Sequence, residues 1–247
     1  KSLCTTNLPD PTIADGSTAF DTTLWSGNDT QRDITGLGFS PDLTWIKQRS
    51  GAGNHSLMYT VRGATKNLVP NDTQGEGTET GYLNAFLSNG FSIGTSGVVN
   101  DGSSTYVAWS WDAGTSTVSN TDGSITSSVR ANPSVGFSIV SYTGTGAAAT
   151  VAHGLNAAPE FIITKATSNS TNWVTGHTGI GWGNFLFLDT TDAAGASAAV
   201  WNSTAPTSSV FSLASSSYIN PNGSGVIAYC FAPVEGYSAF GTYLGNG

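Results

Sequence analysis

Ile34-Thr-Gly-Leu-Gly-Phe-Ser-Pro-Asp-Leu-Thr-Trp-Ile-Lys47 is matched, about 118 residues further on, by Val151-Ala-His-Gly-Leu-Asn-Ala-Ala-Pro-Glu-Phe-Ile-Ile-Thr-Lys165. Both stretches carry a Gly-Leu pair, then proline followed by an acid, then an apolar run that ends in lysine. A second block keeps the same order: Phe91-Ser-Ile, Val99-Asn100 and Val107-Ala-Trp-Ser-Trp111 align with Phe211-Ser-Leu, Ile219-Asn220 and Ile227-Ala-Tyr-Cys-Phe231. Aromatic residues replace aromatic residues at the matched positions, so the chain reads as two tandem units. Gly236-Tyr-Ser-Ala-Phe240 echoes Gly136-Phe-Ser-Ile-Val140, which predicts the opening of a third unit and a chain that is part of something longer. The expected organisation is a linking segment over 1–20, one unit over 21–135, a second over 136–235, and the third beginning in 236–247.

The apolar segments are short, alternate with a period of two and are bounded by Gly, Asn, Asp or Pro, which is the pattern of strands. In Thr105-Tyr-Val-Ala-Trp-Ser-Trp-Asp112, Tyr106, Ala108 and Ser110 fall on one face and Val107, Trp109 and Trp111 on the other; the second face is expected to be buried. Asn100-Asp-Gly-Ser and Asn220-Pro-Asn-Gly supply tight turns before the matched strands. Strands are expected near 42–48, 90–94, 104–112, 136–143, 160–166, 184–189, 208–214 and 225–232, with one or two helical turns only in 80–88. The fold class that follows is all-β: tandem β-sandwich repeats of jelly-roll or lectin-like layout with almost no helix.

Composition narrows the function. Charged residues are only 10% of the 247, and 31 glycines with many Ser, Thr and Asn fill the polar positions. A net charge of −8 excludes a nucleic-acid role, because counterion release needs clustered Lys and Arg. No run of 18 apolar residues is present, so no membrane insertion is expected. Cys4 and Cys230 stand at opposite ends and form no disulfide or metal spacing; Cys230, inside an apolar run, reads as a small buried hydrophobe.

Motifs of catalysis are weak. Gly90-Phe-Ser-Ile-Gly94 has the nucleophile-elbow spacing, but a turn follows where a helix is required, and Ser92 reads as a solvent-facing strand serine. Of four glutamates, Glu76 and Glu79 read as members of a solvated Gly/Thr-rich loop, and Glu160 sits in the same Pro-acid turn as Asp42. His55, His153 and His177 lack metal-ligand spacing, although His55 and His177 are expected at equivalent loop positions. No catalytic residue, metal or cofactor is expected. Lys47 and Lys165 end the same strand in each unit, which points to a repeated structural contact.

Trp45-Ile-Lys47, Val61-Arg-Gly63 and Tyr106-Val-Ala-Trp-Ser-Trp-Asp-Ala-Gly114 resemble a recurrent module in tail proteins of marine phages, cyanophages especially. Lys1-Ser-Leu-Cys-Thr-Thr-Asn-Leu-Pro-Asp-Pro-Thr-Ile13 and Tyr229-Cys-Phe-Ala-Pro-Val-Glu-Gly-Tyr-Ser-Ala-Phe240 extend that resemblance over nearly the whole chain. It implies a virion location and a sandwich of concanavalin or SPRY type, and it transfers no catalytic residue. The second unit departs from it, lacking Val-Arg-Gly and both tryptophans of Trp-Ser-Trp. The expected function is a virion structural protein, a tail fibre or similar appendage, that contacts other virion proteins, copies of itself and a host surface glycan. Trp25, Trp173, Trp182 and Trp201, set among Gly, Asn and Ser, are the candidate sugar-stacking residues. A purely structural decoration or fibre subunit is the alternative, and a polysaccharide-cleaving tailspike is disfavoured by the scarcity of acids.

Overall fold

The computed structural model describes residues 12–246. Strand outweighs helix by 41% to 6%, and the chain is all-β. The first half supplies β1 (Phe20–Ser26), β2 (Arg32–Thr35), β3 (Leu43–Gln48), β4 (Ser56–Tyr59), β5 (Gly63–Leu68), β6 (Gly77–Thr78), β7 (Leu83–Leu87), β8 (Gly90–Ile93) and β9 (Thr105–Trp111). The rest follows as β10 (Thr117–Asn120), β11 (Ser127–Asn132), β12 (Phe137–Thr143), β13 (Ala149–Ala152), β14 (Phe161–Ala166), β15 (Val174–His177), β16 (Asn184–Phe187), β17 (Gly195–Ala196), β18 (Val210–Leu213) and β19 (Gly225–Phe231).

One large sheet has the order β1-β9-β3-β4-β5-β6, and the other β10-β11-β12-β19-β14-β15-β16-β17. From β12 onward the second order corresponds to the first, with β12 standing where β1 stands and β19 where β9 stands. Two small sheets, β2-β8-β7 and β13-β18, each cover one large sheet. Ile34, Phe91 and Ile93 of the first small sheet pack on Ile46, Met58, Tyr106 and Ala108. Val151, Phe211 and Leu213 of the second pack on Val140, Ile162, Val226 and Ala228. The other faces of the two large sheets pack on each other: Leu43, Leu57 and Tyr59 meet Ile139, Ile163 and Tyr229. The result is a four-layer stack with three apolar seams.

Two seams per large sheet explain why its central strands lack polar alternation. In β4 all four residues are buried, and in β19 Val226, Ala228 and Cys230 enter one seam while Ile227 and Tyr229 enter the other. Cys230 is fully buried, and burial pushes its thiol up to about 12. The matched Asn100 and Asn220 are buried staples of the same design. Asn100 accepts the Asn28 N–H and donates to the carbonyls of Thr30 and Gly94. Asn220 accepts the Thr145 N–H and donates to those of Ala147 and Ala214.

Several expectations are corrected. In β9 the face of Tyr106, Ala108 and Ser110 is fully buried while Trp109 and Trp111 are only half-buried, because the small sheet covers the first face completely and the second sheet covers the other in part. Residues 117–132, assigned to the first unit, form β10 and β11 and hydrogen-bond into the second sheet. Residues 80–88 hold β7, not helix. Among the described residues 236–246 form no strand; Phe240 instead packs on Phe161 and Phe231. Cys4 and most of the expected linking segment lie outside the described residues.

His153, fully buried after β13, accepts the Leu155 N–H on Nδ1 and lies 3.1 Å through Nε2 from the Thr207 carbonyl, so its ring fits only as the neutral tautomer. Burial lowers its pKa from 6.5 to about 4. Between those values the unfolded chain binds the proton and the folded chain does not. Stability is expected to fall by about 3 kcal/mol as pH drops through 6.5 and to level off below about 4. Urea denaturation across that range should show this component vanish in His153→Gln.

Candidate functional site

The middle seam holds a cavity of about 410 Å³ lined from both large sheets. Cross-strand register builds its walls. Phe20, Trp111 and Leu43 line it from one rung of the first sheet, which Tyr59 continues outside the lining. Phe137, Phe231 and Phe161 line it from the corresponding rung of the second, which His177 continues outside the lining. Phe20 lies 4.9 Å from Trp111 and Phe137 lies 4.9 Å from Phe231, ring centre to ring centre, with Trp111 and Phe137 bridging the sheets at 6.2 Å. Tyr237 and Phe240 close one side. The volume suits a small ligand, but no charged or amide side chain lines the cavity. It can admit an apolar group, and its few hydroxyls, of Tyr229, Tyr237 and Ser238, would leave most hydroxyls of a sugar without partners.

Beside the cavity, residues 69–76 of the first half reach over the second sheet. Arg62 holds this loop, donating through Nη2 (2.9 Å) and Nε (3.2 Å) to the Glu76 carboxylate, which also accepts the Tyr59 hydroxyl. The loop carbonyls of Val69 and Asp72 accept the Trp173 indole N–H at 2.9 and 3.2 Å. Lys165 donates to the carbonyls of Ala166, Asn169 and, across the seam, Thr73. Lys47 makes the first two of these contacts in its own half, to Gln48 and Gly51. Lys165 is fully buried, and burial lowers its pKa to about 8 against the pull of Asp189 and Asp72. A second tie joins the halves: Asp42 accepts the Ala113 N–H and the Thr60 hydroxyl and pairs with Arg130 of β11 at 2.6 Å. Burial raises the Asp42 carboxyl above its ordinary value while Arg130 opposes that rise.

The four tryptophans expected to stack on sugar are core residues. Trp25 donates to the Val99 carbonyl and stacks on Tyr106 at 5.5 Å. Trp173 lies in the middle seam, 0% exposed, its face against Tyr229. Trp182 and Trp201 meet edge to face at 5.5 Å, and both are buried. Buried in this way they offer no outer face to a glycan; of the four, Trp173 alone borders the cavity. Their small and polar sequence neighbours mislead, because the space for these rings comes from another strand: a Cβ on Gly176 of β15 would fall 2.5 Å from Trp182 and 2.8 Å from Trp201. Ser92 is buried within β8 and does not face solvent. Glu76 is no solvated loop residue, since its side chain is 5% exposed and ion-paired. His55 and His177 are not equivalent: register sets His55 beside Lys47, where the second half has Trp173, and His177 opposite Phe161, where the first half has Tyr59. Among the described residues, no three His, Cys, Asp or Glu converge as a metal site would need.

Sequence reading missed Arg62, Tyr59 and Arg130. The signal for Arg62 was present in Val61-Arg-Gly63, a motif the second half lacks; Gly63 adopts φ 104° there, a conformation glycine accepts without strain. The model of a domain of unknown function, DUF7483, matches residues 15–247. The chain belongs to that family. No curated protein and no solved structure matches it. The family match spans both halves and both ties between them, so the four-layer stack lies within the family's domain.

Substitutions at Gly176 and at the Asp42–Arg130 pair test this packing. Gly176→Ala should destabilise by about 1–3 kcal/mol in thermal unfolding, because the added methyl drives Trp182 and Trp201 apart. Asp42→Ala should cost about 3–5 kcal/mol by leaving Arg130 without its partner, and Asp42→Leu with Arg130→Met should recover most of that loss.

Proposed function

We propose that this chain is a structural module of a virus particle, of the kind that builds a tail fibre or related appendage, and that it holds shape and joins copies without transforming a substrate. The observation that carries this reading is the middle seam, in which the facing sides of both large sheets are buried on each other with their aromatic residues inside. What remains outside is dominated by hydroxyls, amides and glycine, a surface fitted to a neutral, durable scaffold. The virion setting draws on the resemblance of the Trp45, Arg62 and Trp109 segments to phage tail modules.

Contact with a host glycan is a second reading, and one observation favours it. Trp45 and Trp109 face each other directly across β3 and β9 and are half-buried, beside exposed Thr22 and half-buried Lys47. An aromatic face flanked by hydrogen-bonding groups is what sugar stacking requires.

Immunogold labelling of purified particles with antibody to this chain is expected to decorate an appendage. Label confined to the host-cell fraction would remove the virion reading. On a glycan array the scaffold reading expects no retained sugar, whereas binding abolished by Trp109→Ala with the fold intact would establish the second reading in its place.

A further inference from the structure

We propose that two copies of this chain join antiparallel through the outer edge of β1, extending one sheet across both. This deepens the assembly reading above by naming its contact.

β1 ends its sheet and is seven residues long, whereas the other large-sheet edges, β10, β6 and β17, have four, two and two. The Gly27 N–H bonds the Ser104 carbonyl and the Asp112 N–H bonds that of Ala19. Odd-numbered positions of β1 therefore turn their backbone toward β9, and Phe20, Thr22, Leu24 and Ser26 turn theirs outward. Two of those outward groups have partners from side chains: the Asp21 carboxylate accepts the Thr22 N–H at 2.7 Å, and Arg32 donates to the Ser26 carbonyl. Leu24 keeps both groups open, and its side chain is 60% exposed.

The second sheet shows what this position takes. There β12 corresponds to β1, and its outer edge pairs with β11 from Phe137 to Ser141, the stretch that corresponds to Phe20 through Leu24. Among the described residues nothing pairs with β1 in the same way. The strand has no proline, lysine or bulge, so its guard is confined to Asp21 and Arg32 on either side of Leu24.

The occupant is β1 of a second copy, because one two-fold contact then closes both open edges. With the axis at Thr23, the Leu24 N–H of each copy donates to the open Thr22 carbonyl of the other, and the Thr22 N–H exchanges its Asp21 carboxylate for the Leu24 carbonyl of the other copy. Thr23 meets Thr23, a favourable cross-strand pair, and Asp21 lies opposite Trp25 of the second copy, so like charges stay apart. Leu24 then packs beside Thr22 of the second copy on the same face.

Sedimentation of the 247-residue chain over a concentration series is expected to show a monomer–dimer equilibrium. Leu24→Pro removes only the outward N–H and leaves every bond to β9, so it should keep the fold and weaken dimerisation about thirtyfold, two hydrogen bonds being lost per dimer. Should that variant not fold, Thr23→Cys on a Cys4→Ser background decides the matter, since only this register brings the two sulfurs together to form an oxidised dimer. A wild-type chain that stays monomeric throughout, a dimer that survives Leu24→Pro, or a Thr23→Cys chain that does not cross-link would overturn the contact. Particle labelling would still stand or fall separately, so failure here and failure of the virion reading are distinguishable.

Discussion

The apolar contact between the two large sheets is the constraint on which the rest of the molecule depends. Each large sheet already has one face closed by its small sheet, so its second face must find cover or stand in water. Leu43, Tyr59, Ile139, Ile163, Trp173 and Tyr229 are all buried there, and full burial of such side chains is worth about 1.5–3 kcal/mol apiece. The two halves are therefore tied through this seam, and the cavity lies within it, lined by Phe20, Trp111, Phe137 and Phe231.

Corresponding positions then take on different work. Lys47 and Lys165 cap the same pair of loop carbonyls, yet only Lys165 gains a third acceptor, from the loop that the first half extends over it. That loop needs an anchor, and Arg62 with Glu76 and Tyr59 provides it. The second half extends no such loop over the first, which gives a physical reason for Val-Arg-Gly to occur once. Trp173 and His55 divide in the same way: the indole reaches across the seam to Val69 and Asp72, while the His55 ring accepts the Trp45 N–H within its own half.

Much of the fold was legible in the sequence because strand alternation and turn residues are local. The strand β9, its counterpart β19 and the Gly-Leu stretches all fall where their pattern places them. The seams were not legible, since a period of two says which residues share a face and nothing about which face meets another sheet. Tyr106, Ala108 and Ser110 look like the wetter side of β9 and are its driest. The tryptophans failed for a related reason: Trp182 and Trp201 owe their burial to Gly176, which is remote from Trp201 in sequence and adjacent across the core. The strand β1 was passed over because Phe-Asp-Thr-Thr-Leu-Trp-Ser shows its apolar residues on both faces, as an edge strand with one face buried and the other partly open does.

Low charge places the burden of solubility on strand edges. With charged residues at only 10%, few charges stand along strand edges, and an unprotected edge is free to recruit another strand. Most edges here are too short to do so, with two residues in β6 and in β17. At β1 the defence is partial, with Asp21 and Arg32 occupying the backbone groups on either side of Leu24 and leaving the middle open. An edge guarded at both ends but not at its centre confines pairing to the middle of the strand, which separates a short contact between copies from open-ended aggregation.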